Sequence, residues 1–167
     1  RLARNFKKYP FPHRTTPEQQ RQIIEETKNA LFSGNQMMSE NFSYIDFAGL
    51  DAVEKAVLVE KHVVSKELLE TNRLCGVLLS RDERISIMIN EEDHLRIQCL
   101  ATGMQLTEAW ETCTNIDDLL SESIDFSWDE NLGYLTSCPT NIGTAIRASV
   151  MMHLPALTMT GYIKPVL

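Results

Sequence analysis

Apolar and polar positions along the chain switch between helical and strand periods, and the switches mark the elements. Residues 8–15 are interrupted by Pro10 and Pro12 and read as extended. Thr16-Pro17-Glu18-Gln19 then reads as a helix start, with Thr16 as N-cap, Pro17 in the first turn and Gln19 closing a capping box. Ile23, Ile24, Ala30 and Leu31 give that helix its apolar stripe, and Ser33-Gly34-Asn35 ends it. Residues 42–47 alternate and predict a strand. Leu50, Val53, Ala56 and Val57 return to helical spacing as far as about His62, and Ser65 caps a short turn through Glu70.

From Leu74 the period becomes two. Residues 74–79 and 85–90 flank the polar turn Ser80-Arg81-Asp82-Glu83-Arg84, which predicts a hairpin. Residues 94–101 alternate as well, with Leu95, Ile97, Cys99 and Ala101 on one face and His94, Arg96 and Gln98 on the other. Residues 105–123 form the clearest helix, striped by Leu106, Ala109, Trp110, Cys113, Ile116, Leu119 and Leu120. Residues 124–128 and 133–137 predict a second hairpin, and alternation over Arg147 to Leu154 predicts a strand. With no internal repeat or linker, the expected fold is one α+β unit: a mostly antiparallel sheet flanked by helices.

Charge narrows the function classes. Among 167 residues, 16 Lys and Arg stand against 23 Asp and Glu, a formal charge of −7. That balance disfavours a nucleic-acid-coating protein, which needs a basic face. No apolar run approaches membrane-spanning length and no segment reads as a secretory signal, so neither nucleic acid nor membrane is an expected partner. Cys75, Cys99, Cys113 and Cys138 lack CxxC or metal-type spacing, which points to a reduced, cytoplasmic chain. The opening at Arg1 without methionine and the apolar stop at 161–167 read as the cut ends of a longer protein.

Three features could carry chemistry. Asn90-Glu91-Glu92-Asp93-His94-Leu95-Arg96 lies between two strands, and its adjacent acids need cations to offset their repulsion. Neighbouring strand residues point in opposite directions, so one metal could recruit only some of them, and no metal site is expected. The second feature, residues 136–144, is a loop of small hydroxyl and amide side chains around Cys138, with Arg147 close behind to favour a thiolate. The third is the set Arg1, Arg4, Arg96 and Arg147, which ask for carboxylates or for the phosphates of a ligand. For Arg4 an internal ion pair is the preferred reading. The chain has neither a P-loop nor a Rossmann turn.

Asn90 to Ile97, Cys138 to Thr144 and Arg147 to Val150, together with the opening Arg1-Leu2-Ala3-Arg4-Asn5, resemble the catalytic domain of the phosphagen (guanidino) kinases over nearly the whole chain. Within that family the sequence is most similar to the bacterial protein-arginine kinases. The interval between Glu60-Lys61-His62 and the acidic motif is short. Met151 also stands where the metabolite kinases usually carry a histidine. The resemblance implies Mg-ATP in a cleft, the metal arriving with the nucleotide. It matches Glu92 to the carboxylate that holds the acceptor guanidinium, and Cys138 to the cysteine beside it. It matches Arg1, Arg96 and Arg147 to phosphate-binding arginines, and His62 with Ser149, Val150 and Met151 to nucleotide contacts.

The activity so implied is ATP-dependent phosphorylation of arginine in proteins, as a mark in stress-response regulation or degradation. Protein substrates, an activator protein, proteolytic machinery and a homodimer are the implied partners. A kinase of a free guanidino metabolite and a non-catalytic nucleotide-binding adaptor stay open as alternatives. By the same resemblance, residues 1–167 are the N-terminal part of the catalytic domain. The second catalytic glutamate, a further arginine and a C-terminal helical domain are expected beyond Leu167, so residues 1–167 alone are expected to be inactive.

Overall fold

A computed structural model describes residues 1–33 and 36–166. Its centre is a five-stranded antiparallel sheet ordered β1-β5-β4-β3-β2, formed by Leu2–Arg4 (β1), Phe42–Asp46 (β2), Gly76–Ser80 (β3), Ile85–Ile89 (β4) and Leu95–Cys99 (β5). Beyond β1, residues 145–147 continue the sheet through the bonds Ala3 N to Ala145 O (3.0 Å) and Arg147 N to Arg1 O (2.9 Å). The expected α+β architecture is therefore the observed one.

Local signals account for the helices on either side. In α1 (Pro17–Phe32) the capping box is made as the sequence predicts: Thr16 Oγ1 accepts from Gln19 N, and Gln19 Oε1 accepts from Thr16 N. The Gly34-Asn35 stop lies outside the described residues. A short helix α2 (Gln36–Asn41) leads into β2. Helix α3 (Ala52–Glu60) opens on a second capping box, Asp51 with Glu54, and α4 (Lys66–Glu70) is capped by Ser65.

Register places every side chain on one of two faces. Leu2 pairs with Ile97, Ile97 with Ile87 and Ile87 with Leu78, so these point to one side and meet α1 and α5 (Leu106–Ser121) in the larger core. Met88 and Val77 point to the other side and meet Val63, Val64 and Leu68 around α3 and α4. With both faces covered, β3 is buried throughout.

Three expectations need correction. The N-terminal half of the α5 stripe is uncovered: Leu106 is 41% and Trp110 51% exposed, and only Cys113, Ile116 and Leu120 of the apolar stripe reach full burial. Arg147 to Leu154 is not a strand. After the bridge at Ile146 the chain finds no partner strand among the described residues and runs irregularly to α6 (Pro155–Met159), since alternation alone supplies no hydrogen-bonding edge. His94 does not stand beside Arg96 on a polar face. It precedes β5 and turns inward, fully buried, its ring meeting those of Phe6 and Tyr9 edge-on. The second predicted hairpin exists but is short, β6 (Trp128–Asp129) with β7 (Gly133–Tyr134). A last helix, α7, spans Ile163–Val166.

Candidate active site

The acidic motif is the turn between β4 and β5, and its shape is fixed from within. Asn90 adopts φ +62, a conformation asparagine tolerates better than most residues. Its side chain donates to Leu74 O (2.8 Å) and Gln20 O (3.1 Å), and its amide donates to His94 O (2.9 Å). Arg73 closes the turn from outside by donating to the carbonyls of Asn90 and Glu91. His94 Nδ1 accepts from Phe6 N at 3.1 Å, so Nε2 carries the proton and donates to Pro10 O at 2.9 Å. Burial pushes this imidazole down to about 4, which keeps it neutral.

Each acid of the motif has a different task. Asp93 is buried and accepts from Asn5 Nδ2 and from Ser137 N, both at 2.7 Å, so one carboxylate joins β1, the acidic turn and the 136–144 loop. Glu91 is also buried, pairs with Arg96 Nη1 at 2.7 Å and accepts from the Ser65 hydroxyl. Glu92 is exposed and makes no ion pair among the described residues. Its carboxyl lies above the usual range, raised by partial burial and then by Asp93 and Glu91, against the opposing pull of Arg1 and Arg96.

The arginines form a row. Arg96 sits opposite Ala3 in the β5–β1 register, and residues 145–147 return antiparallel beside β1. Arg1, Arg96 and Arg147 therefore line one cavity, with Glu91, Glu92 and Asn141 on its other walls. Burial and the neighbouring charges of Arg96 and Arg147 lower the Arg1 guanidinium from its ordinary value. Arg96 Nε is buried with no hydrogen-bond partner among the described residues. Clustered guanidiniums with an unused donor fit a multivalent anion such as a polyphosphate. Arg4 takes no part. On the opposite face it forms a buried bidentate pair with Asp117, at 2.6 to 3.1 Å, in keeping with the internal pairing expected for it.

Cys138 does not line this cavity. It is half-buried at the start of a 3₁₀ turn, Sγ 3.0 Å from Thr140 Oγ1, in the loop that the Asp93–Ser137 bond ties to the acidic turn. Gly133 (φ +79) holds that loop from behind: a Cβ there would stand 2.7 Å from Gly143 O. His62 is exposed at φ +59, and its carbonyl accepts from Gln98 Nε2 at 2.7 Å, two residues along β5 from Arg96. Ser149, Val150 and Met151 are exposed and line an adjoining open groove of about 590 Å³ with Met104 and Leu106, rather than the arginine cavity. A third cavity, shared by Arg1, Arg147 and Ser149, lies between the two. Sequence reasoning passed over Glu91, Ser65, Arg73 and Asn141. Glu91 and Asn141 carried a signal, their places in the acidic run and in the 136–144 loop, but spacing does not say which acid faces inward.

A basic row set against carboxylates at the edge of an antiparallel sheet suits transfer of phosphate to a cationic acceptor, and the family comparison agrees. Residues 22–167 match the family model described as ATP:guanido phosphotransferase, C-terminal catalytic domain, and the chain belongs to that family. Among curated relatives, the protein-arginine kinase of Caldanaerobacter subterraneus subsp. tengcongensis is 48% identical over 167 residues, which cover all of this chain and 50% of the relative. That of Halalkalibacterium halodurans is 49% identical, with 47% of the relative covered. The chain thus spans about half the length of the curated relatives it matches. The fold is also that of the duplicated taurocyamine kinase from Schistosoma mansoni, at TM-score 0.76 and 23% identity over 86% of this chain and 22% of that one. Lombricine kinase superimposes at TM-score 0.74 and 19% identity, over 86% of this chain and 43% of that one.

Proposed function

We propose that this chain carries the phosphate-binding and acceptor-positioning part of an ATP-dependent protein-arginine kinase. The observation that carries the reading is the single cavity in which Arg1, Arg96 and Arg147 face Glu92. The guanidiniums hold the triphosphate and offset charge that spreads over the transferring group, the main protein contribution to phosphoryl transfer. Glu92 pairs with the acceptor guanidinium and aims one nitrogen at the γ-phosphorus. As that N–P bond forms, the bond to the β-phosphate oxygen breaks, ADP leaves, and the attacking nitrogen gives up a proton to the Glu92 carboxylate or to solvent. A guanidinium holds its proton to above about pH 12, so orientation and removal of charge are both needed. Magnesium, carried in by ATP, would add positive charge at the phosphates and keep most of its waters, so no protein cage is required of this chain.

Cys138 belongs beside the acceptor, held there through Asp93 and Ser137. Ser149 to Met151 belong to the nucleotide, along the grooves that continue from the arginine cavity, and His62 is assigned to it by the family resemblance, its carbonyl held by Gln98 Nε2. Residues 1–167 then form the first part of the catalytic domain, with further catalytic residues and a helical domain following them. A protein acceptor is supported by the protein-arginine kinases that match the chain end to end. Cytoplasmic action in a bacterial stress response, with an activator, proteolytic machinery and a homodimer, belongs to the same reading. Among the described residues no helix is long and apolar enough to cross a membrane.

The test is phosphate transfer from γ-labelled ATP by the full-length protein, with casein and free arginine as parallel acceptors. Acid-labile phosphate on casein arginine is the expected product. Label only on serine or threonine, label only on free arginine, or ATP binding without transfer would each overturn the proposal.

A further inference from the structure

Two thiols that the proposed transfer does not use lie together under the arginine row. Cys99 ends β5, half-buried, and Cys113 sits on the inner face of α5, buried. Cys99 packs against the core cluster that contains Cys113. Cys113 Sγ also lies 4.0 Å from Ile97 O, over the last turn of the same strand. Both line one cavity with Arg1, Leu2, Trp110 and Arg147, so the pair is reached through an opening rather than sealed in the core.

We infer that Cys99 and Cys113 form a peroxide-sensitive dithiol, in which Cys99 is the attacking thiol, Cys113 the resolving thiol, and the product a reversible disulfide pinning α5 to β5. Cys99 sulfur attacks one peroxide oxygen. The S–O bond forms, the O–O bond breaks, and the departing hydroxide takes up the thiol proton as water. Cys113 sulfur then attacks the sulfenic sulfur, the S–S bond forms, and the hydroxyl leaves with the Cys113 proton as a second water. The two sulfurs together lose two electrons, and one hydrogen peroxide is reduced to two waters.

The surroundings divide the roles. Cys99 is the more accessible of the two, half-buried where Cys113 is buried, and its thiol is lowered by its neighbour Cys113 and by Arg84, whereas that of Cys113 is pushed up by Cys99 and by burial. Cys75 is the internal contrast: buried and raised to about 11, it has the character of an inert core thiol.

The experiment uses the full-length protein treated with stoichiometric hydrogen peroxide, blocked with iodoacetamide, and cleaved after glutamate. Glu108 and Glu111 separate the two cysteines, whereas no lysine or arginine lies between them. A cross-linked pair of peptides carrying Cys99 and Cys113, released by dithiothreitol, is expected, with Cys75 still alkylated. In C113S, dimedone should trap a sulfenic acid at Cys99, and in C99S neither residue should oxidise. Free Cys99 after peroxide, or dimedone labelling confined to Cys138, would overturn the inference. Circular dichroism matching that of the unsubstituted protein keeps the variant results interpretable.

Discussion

Arg96 Nη1 lies 2.7 Å from the buried carboxylate of Glu91, while Glu92, the next residue, holds no cation of its own among the described residues. Two adjacent glutamates are thereby divided between scaffold and substrate. Glu91→Gln should cost about 2 kcal/mol of stability, because it leaves a largely buried guanidinium without its counter-charge. Glu92→Gln should leave the urea midpoint within about 0.5 kcal/mol of the parent and lower kcat roughly 10²-fold. Denaturation and initial-rate measurements on the same two variants of the full-length protein separate the roles. Equal losses of stability would contradict the division.

Arg4 and Asp117 supply a second test, on the opposite face of the sheet. Their pair is almost wholly buried, so Asp117→Ala should destabilise by about 3–5 kcal/mol through the stranded guanidinium. Replacing both, as R4M with D117L, should restore most of that loss, as read from denaturant midpoints.

The neutral state of His94 predicts a pH dependence. In the unfolded chain its imidazole takes a proton near 6.5, and in the folded protein only near 4. Between those values the unfolded state binds more protons, so stability falls as pH is lowered through this window, by about 3 kcal/mol in all, and this contribution is constant below pH 4. His94→Asn should flatten the slope of unfolding free energy from pH 6.5 to 4, whatever it does to stability at neutral pH.

Gly133→Ala should cost about 2 kcal/mol, since it combines a left-handed backbone with a Cβ driven against Gly143 O. The same change should loosen the loop of Asn141, and a weaker affinity for ATP, measured by calorimetry, is the expected companion effect.

Legibility followed the range of the interactions. The Thr16–Gln19 capping box was readable because its partners lie three residues apart and the helix rise brings them together. The β3–β4 hairpin was readable for a similar reason. Alternation misled where its premise of a partner strand failed, over residues 147–154, and where the chain had not yet entered the strand, at His94. The α5 stripe promised one continuous buried face, but no described element covers Leu106 and Trp110. At the site, the residue types were legible and their division of labour was not. Whether Glu91 or Glu92 turns inward depends on Arg96, on Ser65 at the N-cap of α4, and on a turn clamped by Arg73.

The row of guanidiniums is completed by a narrow seam, the three main-chain bonds that join residues 1–3 to 145–147. Such a margin can part without melting the core contacts beneath it, because opening free energy scales with what is locally broken. Amide hydrogens of Ala3 and Arg147 should thus exchange far sooner than those of Ile87 or Ile97. A bound triphosphate, bridging both sides of the seam, would slow them selectively, so that occupancy is written in the exchange rate of two peptide groups.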